Sequence, residues 1–358
     1  MDRGVARILD ANLNRAREAA RVMEDYARFV LDDPAGCALL KRLRHDLAAC
    51  ERTLPADVLL AARDTPADVG TAISTDSERL RASPREVLSA AARRLQEALR
   101  TVEEYLKTLR PEMAEQVQAM RYRVYELEQR LSLRGTRAAA FARVRLYVLI
   151  TASLCRGDWL ETAEAAIRGG AGCLQLREKQ MSDRLLLERA RRLAALCREH
   201  GALCIINDRP DLAVLADADG VHLGQEDLPA TGARRIVGPD RLIGVSTHDA
   251  GQLEAALQAG PDYVAVGPMF ASPTKPQDHV PGPSLLSAAV ARSPVPVVAI
   301  GGIDAGSLGI LVQAGARCVC TCSAVLGADD PCEAARRLVG GLPAPRPVEP
   351  DEPELAGA

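Results

Sequence analysis

The sequence has little of what nucleic-acid-binding and membrane proteins need. Its formal net charge is −3, and it contains only three Phe and one Trp among 358 residues. Such a chain lacks both the positive field that attracts phosphate backbones and the rings on which bases stack. No apolar run approaches the roughly 20 residues that span a bilayer. We therefore expect neither nucleic acid nor a membrane among its partners.

The N-terminus also lacks a targeting segment. The stretch "MDRGVARILD" has no apolar core of the kind found in signal peptides, so we predict a soluble, cytoplasmic protein. Hydrophobic residues make up 47% and charged residues 26% of the chain, which is ordinary for a globular protein. A length of 358 residues suits about two domains.

The chain contains ten cysteines but no CxxC pair. Cys318, Cys320 and Cys322 alternate along one predicted strand and therefore share a face. A soft-metal or redox site is one interpretation of this pattern. Small buried hydrophobic side chains are the favoured one, because three ligands spread along a strand cannot close a tetrahedral site without others. The sequence leaves the role of these cysteines open.

Residues 1–131 are predicted to form a helical bundle, because apolar residues recur at helical spacing in two long segments, 9–31 and 84–109. Within them, "REAARVMEDYAR" (17–28) aligns without gaps with "QEALRTVEEYLK" (96–107). This similarity indicates an internal duplication that yields two helical hairpins. The polar stretch "AARDTPADVGTAIST" (61–75) separates them, and we interpret it as a connection rather than a ligand loop.

The pattern of hydrophobic residues changes after the helical half. Residues 132–143 are predicted to be a linker, with Gly135 ending the preceding helix. Residues 144–342 alternate short apolar runs with amphipathic segments, and eight such βα units are typical of a (β/α)8 TIM barrel. An open doubly wound sheet is the alternative, although no GxGxxG fingerprint is present. The Pro- and Glu-rich tail, 343–358, is predicted to be disordered. The predicted fold class is thus α/β, a barrel preceded by an all-α domain.

Polar residues follow the predicted barrel strands, at the end where active sites of this fold lie. Arg177, Lys179 and Lys275 are cations that would bind a strong polyanion if they converge. Asp208 and Asp227 follow neighbouring strands and offer the hard oxygen ligands that suit Mg²⁺, which often shares itself with substrate phosphates. Cations, carboxylates and a metal together predict a diphosphate site.

A second anion site is predicted after the seventh and eighth strands. Gly301 and Gly302 follow the seventh strand and Ser323 follows the eighth, where this fold often holds a phosphate. Bare glycines let backbone N–H groups approach phosphate oxygens closely. His222 and His248 are interpreted as hydrogen-bonded structural groups rather than bases.

Residues 145–340 resemble the thiamine-phosphate synthase family. The segments "QLREK", "INDRPDLAVLADADGVHLGQEDLP", "IGVSTH", "DYVAVGPMFASPTK", "AIGGI" and "SAV" occur in that family's order and spacing. The resemblance implies a transferase that joins 4-amino-2-methyl-5-hydroxymethylpyrimidine diphosphate to hydroxyethylthiazole phosphate. The products would be thiamine phosphate and diphosphate, formed by a dissociative, Mg²⁺-assisted substitution. One departure is Ser272, where the family usually has Thr.

The resemblance also implies residue roles. The pyrimidine diphosphate would be contacted by Gln175, Arg177, Lys179, Asn207, Ser246 and Lys275, and the thiazole phosphate by Ser272, Thr274, Gly302, Cys322 and Ser323. Among these, Arg177, Lys179 and Lys275 would be catalytic. Asp208 and Asp227 would hold Mg²⁺ as the cofactor.

The helical half resembles an N-terminal extension fused to some members of that family. The extension has been proposed to be a hydroxymethylpyrimidine phosphate kinase, but no P-loop is visible here. A regulatory or dimerising bundle is an equal alternative. For the barrel, two other readings stay open, a thiazole tautomerase-like isomerase using a residue such as His248 and a non-catalytic sensor of phosphate ligands. The sequence predicts small-molecule substrates and leaves open homo-oligomer formation and channelling between the halves.

Overall fold

The computed structural model describes residues 1–31, 33–64, 80–271 and 279–344, except for the side chain of Ala138. Two compact units are present, one from Met1 to Gly135 and one that begins at Thr136. Most of the polar stretch 61–75 and most of the tail 343–358 lie outside the described residues, so those two predictions remain predictions.

Helices are the regular secondary structure of the first unit in its described residues. Its helices are α1 (Arg3–Phe29), α2 (Pro34–Glu51), α3 (Ala56–Ala62), α4 (Pro84–Lys107) and α5 (Pro111–Ala142), of which α5 continues into the second unit. Local sequence explains where the long helices begin. The Asp2 carboxylate accepts hydrogen bonds from the first turn of α1, and the Ser83 hydroxyl accepts one from Glu86 N at the start of α4. Buried Ala and Leu side chains of α1, α2, α4 and α5 form one core.

The prediction that Gly135 ends a helix is wrong, because α5 runs without interruption to Ala142. A glycine inside a helix costs about 1 kcal/mol relative to alanine, and packing on the preceding turn offsets this cost. Leu131 is fully buried, and Arg134 forms an ion pair with Asp33 at 2.9 Å. Residues 132–142 are therefore helical rather than an irregular linker.

Two buried glutamates occupy matching positions in the two similar segments. Glu24 in α1 pairs with Arg44 of α2 at 2.5 Å, and Glu103 in α4 pairs with Arg121 of α5 at 3.0 Å. Glu24 and Glu103 are aligned with each other in the gap-free match between residues 17–28 and 96–107. The duplication itself stays an interpretation of the sequence, and the structure places these matched residues in like surroundings.

We predict that Glu103→Ala destabilises the helical unit by about 3 kcal/mol, since removing one partner of a buried ion pair leaves the other charge uncompensated. Glu103 is only 1% exposed and Arg121 8% exposed. Amide hydrogen exchange in α4, measured on the full chain, should become on the order of 100-fold faster. Glu104→Ala is the matched control, because Glu104 is exposed and its ion-pair partners, Arg100 and Lys107, are exposed as well. Equal acceleration in both variants would contradict the prediction.

The second unit contains the predicted (β/α)8 barrel, and the fold-class prediction is confirmed. Eight parallel strands among the described residues form one closed sheet in chain order, with β8 pairing back onto β1. The strands are β1 (Leu146–Ile150), β2 (Cys173–Leu176), β3 (Leu203–Asn207), β4 (Gly220–Leu223), β5 (Leu242–Thr247), β6 (Tyr263–Val266), β7 (Val297–Ile300) and β8 (Cys318–Thr321).

Helices connect these strands and cover the outside of the sheet. They are α6 (Trp159–Arg168), α7 (Asp183–His200), α8 (Pro210–Leu215), α9 (Ala230–Val237), α10 (Ala250–Ala259), α11 (Gly282–Arg292), α12 (Leu308–Gln313), α13 (Ser323–Leu326) and α14 (Pro331–Gly340), and a short 3-10 helix follows β1 at Ala152–Leu154. No helix in the described ranges is both long and apolar enough to cross a membrane.

Alternation along the strands divides the barrel side chains into two cores. Outward-facing residues such as Val148 and Leu174 pack against the helices, whereas inward-facing residues such as Tyr147 and Tyr263 fill the barrel. Cys318 and Cys320 belong to the inner set, where burial raises the pKa of both thiols. Their surroundings are those of small buried hydrophobic side chains.

Candidate active site

An open cavity of about 880 Å³ lies at the carboxyl ends of the barrel strands. Every predicted site residue that the structure describes lines it, namely Gln175, Arg177, Lys179, Asn207, Asp208, Asp227, Ser246, Gly302, Cys322 and Ser323. Ser272, Thr274 and Lys275 lie outside the described residues. Side chains spread over almost 150 positions of sequence therefore face one space.

The loop after β2 presents two cations to this cavity. Arg177 N donates to Ile150 O at 2.9 Å, and the Thr151 hydroxyl donates to Arg177 O at 2.8 Å, so the backbone is held against β1. The acid between the two cations, Glu178, pairs with Arg189 at 2.8 Å. In the part of the chain that the structure describes, neither Arg177 nor Lys179 has an ion-pair partner. Both charges are thus available to an anionic ligand.

Two carboxylates from neighbouring loops approach each other beside these cations. Asp208 follows β3 in a left-handed conformation, with φ 62°, and its N–H donates to His222 O at 2.8 Å. Asp227 accepts a hydrogen bond from Gly224 N at 2.6 Å. Burial, reinforced by the adjacent Asp227, raises the pKa of Asp208 to about 6. Such a pair gains stability from a cation that neutralises it.

The turn after β7 brings bare backbone to the cavity wall. Gly301 and Gly302 have φ values of 101° and 65°, which side chains rarely adopt. A Cβ atom on Gly302 would lie 2.8 Å from the carbonyl oxygens of Phe270 and Ala271. Cys322 and Ser323 follow β8 on the same side of the cavity. Burial raises the pKa of the Cys322 thiol to about 11, so this group is a neutral thiol at neutral pH.

A chain of hydrogen bonds crosses the floor of the cavity. Gln175 Nε2 donates to Tyr147 Oη at 2.6 Å, and Tyr147 Oη lies 3.0 Å from Tyr263 Oη. Tyr263 Oη lies 3.1 Å from His222 Nδ1, and His222 Nε2 lies 2.8 Å from Ser246 Oγ. The sequence reasoning missed both tyrosines. Their inward register on β1 and β6, shared with Gln175 on β2, was the signal that could have identified them.

Both histidines near the site are held by hydrogen bonds, as the sequence interpretation expected. His248 Nδ1 contacts Gly267 O at 2.6 Å, and His248 N donates to Gln252 at 2.8 Å. Burial lowers the pKa of His222 to about 4, so its imidazole is neutral at neutral pH. Burial also raises the pKa of Tyr147 and of Tyr263 well above the usual value, which keeps both hydroxyls protonated.

Comparison with known families agrees with this geometry. A family model described as thiamine monophosphate synthase matches residues 146–325, which is half of the chain and includes all eight strands. The chain belongs to the thiamine-phosphate synthase family. A second model, the ThiD2 family, matches residues 7–130, so the resemblance stated for the helical half is also confirmed.

Individual relatives share both halves. A thiamine-phosphate synthase from Thermosynechococcus vestitus is 46% identical, with 94% of each chain covered. One from Synechocystis is 43% identical, with 94% of this chain and 96% of that chain covered. Among solved structures, a thiamine phosphate pyrophosphorylase from Pyrococcus furiosus is 34% identical with a TM-score of 0.52, covering 56% of this chain and 96% of that chain.

The predicted activity, that of a transferase of the thiamine-phosphate synthase type, is therefore confirmed. The matches do not favour the tautomerase or the sensor.

We predict that His222 makes stability depend on pH between about 6.5 and 4. The unfolded chain binds a proton near pH 6.5, whereas the folded chain binds it only near pH 4. The unfolded state therefore holds more protons in this window, and stability falls as the pH falls, by up to about 1.4 kcal/mol per pH unit. Urea unfolding followed by fluorescence of Trp159, the single tryptophan, reports on the barrel unit.

His222→Gln is the comparison for this prediction. The neutral amide removes the titration, while Asp208, whose raised pKa acts in the opposite direction, is present in both proteins. Wild-type protein should lose more stability than the variant between pH 6.5 and pH 5. Parallel pH profiles would show that His222 is protonated as readily in the folded barrel as in the unfolded chain.

Proposed function

We propose that the barrel binds a pyrimidine diphosphate and a thiazole phosphate in this one cavity and joins them with release of diphosphate. The observation that supports this most is the convergence of two cations without an ion-pair partner among the described residues, two carboxylates and a glycine turn on a common space. The names of the relatives point to the same reaction. We further propose a cytoplasmic enzyme with small-molecule substrates, as the composition predicts.

Arg177 and Lys179 would bind the diphosphate and stabilise the charge that develops on it as the carbon–oxygen bond breaks. Their side chains have no described ion-pair partner, so no internal bond must be broken when the ligand binds. Donors that are already in place stabilise a transition state more than donors that must reorganise. Glu178, which is turned toward Arg189, holds the loop without competing for the ligand.

Asp208 and Asp227 fit a magnesium ion that also contacts the diphosphate. Their crowding, seen in the raised pKa of Asp208, is relieved when a cation lies between or beside them. No described group of three or more His, Cys, Asp or Glu side chains gathers in a metal-binding arrangement, so substrate oxygens and water would complete the coordination. A bound magnesium ion would neutralise charge on the leaving diphosphate.

The glycine turn after β7 would bind the phosphate of the thiazole substrate. Backbone N–H groups of this turn would donate to the phosphate oxygens, and glycine readily adopts the positive φ values that the turn requires. Ser323 and Cys322 lie beside this turn on the cavity wall. The second substrate would thus be anchored by its phosphate, with its ring nitrogen free to attack the pyrimidine methyl carbon.

The direct test is to incubate the full chain with both substrates and Mg²⁺ and to measure thiamine phosphate and diphosphate. Equal amounts of the two products are expected, and a metal chelator should stop their formation. If neither product forms under these conditions, the proposed function is wrong.

Asp208→Asn should lower the rate by at least about 100-fold, which is the scale of losing one preorganised electrostatic contact. Asparagine tolerates the left-handed backbone at this position, so the change removes charge and little else. Asp217→Asn is the control, since Asp217 also has a positive φ, of 51°, but pairs with Arg198 and Arg241 away from the cavity. Binding of Mn²⁺, followed by electron paramagnetic resonance, should weaken in Asp208→Asn only. A near wild-type rate at saturating Mg²⁺ would remove Asp208 from the site.

Gly302→Ala should raise KM for the thiazole phosphate by at least about 10-fold, because a residue forced into a disfavoured conformation stores about 1–3 kcal/mol of strain and the new methyl group meets two carbonyl oxygens. KM for the pyrimidine diphosphate should change much less. Gly309→Ala, on the exposed surface of α12 with no neighbour within 4 Å of the added atom, is the control. A uniform change in both KM values would contradict a separate phosphate site at this turn.

A further inference from the structure

The hydrogen-bonded chain on the cavity floor has two open ends, and both face the cavity. Within the described residues no group donates to Gln175 Oε1, and the Ser246 hydroxyl has one hydrogen-bond partner, His222 Nε2. The three inner members, Tyr147, Tyr263 and His222, are at most 6% exposed. We call these five side chains the floor relay. Its two ends are also the residues that the family resemblance assigns to the pyrimidine substrate.

The floor relay has a direction. An amide nitrogen can only donate, so Tyr147 accepts from Gln175 and must turn its own proton to Tyr263. Tyr263 then donates to His222 Nδ1, which must be unprotonated. A neutral imidazole carries its one proton on the other nitrogen, so His222 Nε2 donates to Ser246 Oγ. The serine proton is left to point into the cavity.

We propose that the floor relay fixes the polarity of the cavity floor, with a hydrogen-bond acceptor at Gln175 and a donor at Ser246, and thereby selects a 4-aminopyrimidine over its 4-oxo analogue. This inference rests on the proposed function. An amino group donates to Gln175 Oε1, and a ring nitrogen accepts from Ser246. A 4-oxo group would set an acceptor against the Gln175 oxygen. Tyr147, Tyr263 and His222 act as positioning residues, since they work through the two ends.

Packing holds the centre of the floor relay in place independently of its hydroxyl. Phe141 stacks on the Tyr263 ring at 3.9 Å with an interplanar angle of 8°, and the Tyr147 ring lies edge-on to it at 6.0 Å. Gly244 on β5 has no side chain where the Tyr263 ring lies, and a Cβ there would overlap the ring. Tyr263→Phe therefore removes one hydroxyl while the ring and its neighbours keep their places.

The direction of the hydrogen bonds in the floor relay can be measured without enzymatic turnover. Imidazole ¹⁵N NMR of the full-length protein, without substrates, reports which nitrogen of His222 carries the proton. We expect a proton on Nε2 and none on Nδ1, and we expect Tyr263→Phe to yield a mixture of the two tautomers. A proton on Nδ1 in the wild-type protein would reverse the direction of the floor relay and overturn the proposal.

Selectivity is the second test. The probes are the 4-amino pyrimidine diphosphate and its 4-oxo analogue, compared by kcat/KM. Wild-type protein should favour the amino compound by at least about 100-fold, since a site built to bond an N–H group rejects an analogue that lacks it. In Tyr263→Phe, Tyr147 loses its acceptor and can donate to Gln175 Oε1, which frees the amide to turn, so the preference should fall at least about 10-fold.

Thr247→Val is the matched control. Thr247 lies next to Ser246 on β5, is fully buried, and donates to Ala265 O at 3.1 Å outside the floor relay. The Thr247→Val variant should lose stability but keep the wild-type preference for the amino compound. If Tyr263→Phe keeps that preference too, or if Thr247→Val loses it to the same extent, the proposal is wrong. Tyr147→Phe serves as a second break in the floor relay should Tyr263→Phe not fold. Absence of thiamine phosphate formation by wild-type protein would refute the proposed function and leave the tautomer measurement intact.

Discussion

Pairing between β1 and β8 closes the sheet, and the site depends on that closure. Val319 N donates to Arg145 O at 3.0 Å, and the register joins Leu146 to Val319. Once the ring is closed, all eight strands end on the same side, so the loops that follow them face one another. A cation from the loop after β2 and a carboxylate from the loop after β4 then share a cavity without any direct bond between their elements.

Charge is distributed so that this cavity stays ready for an anion. A buried acid elsewhere in the barrel unit, Asp262, is neutralised locally by Arg137 at 2.8 Å and Arg234 at 2.5 Å. At the carboxyl ends of the strands, Arg177 and Lys179 are left without described partners, while Asp208 and Asp227 are crowded together. The cavity thus combines free positive charge with a carboxylate pair that favours a metal ion, and both features are complementary to a phosphorylated ligand.

The helical unit contains buried charged residues, each of which has a partner of opposite charge. Glu24 and Glu103 are both largely buried, and each lies against an arginine of the next helix. A buried carboxylate without a partner would be strongly unfavourable, so the position of each partner constrains how the two helices of a hairpin pack. The same type of buried ion pair therefore occurs once in each hairpin.

Much of this organisation was predictable from local patterns. Side-chain periodicity, which a sequence shows directly, indicated the helices in residues 1–131 and the eight apolar runs from 144 onward. The sequence also showed polar residues at the ends of seven successive runs. The end of α5 was not predictable in this way. Gly135 is a helix-breaking residue by intrinsic preference, and the burial of Leu131 together with the Arg134–Asp33 ion pair overrides that preference.

The sequence by itself determined the barrel, the family and the list of polar residues at the strand ends, since strand rhythm and motif order are encoded along the chain. Only the tertiary structure decided which side chains meet. Tyr147 and Tyr263 are 116 positions apart, and neither looks polar in a strand that is otherwise apolar. Their hydroxyls meet because curvature of the closed sheet directs inward-facing residues of non-adjacent strands to one point, and a linear pattern carries no information about such distances.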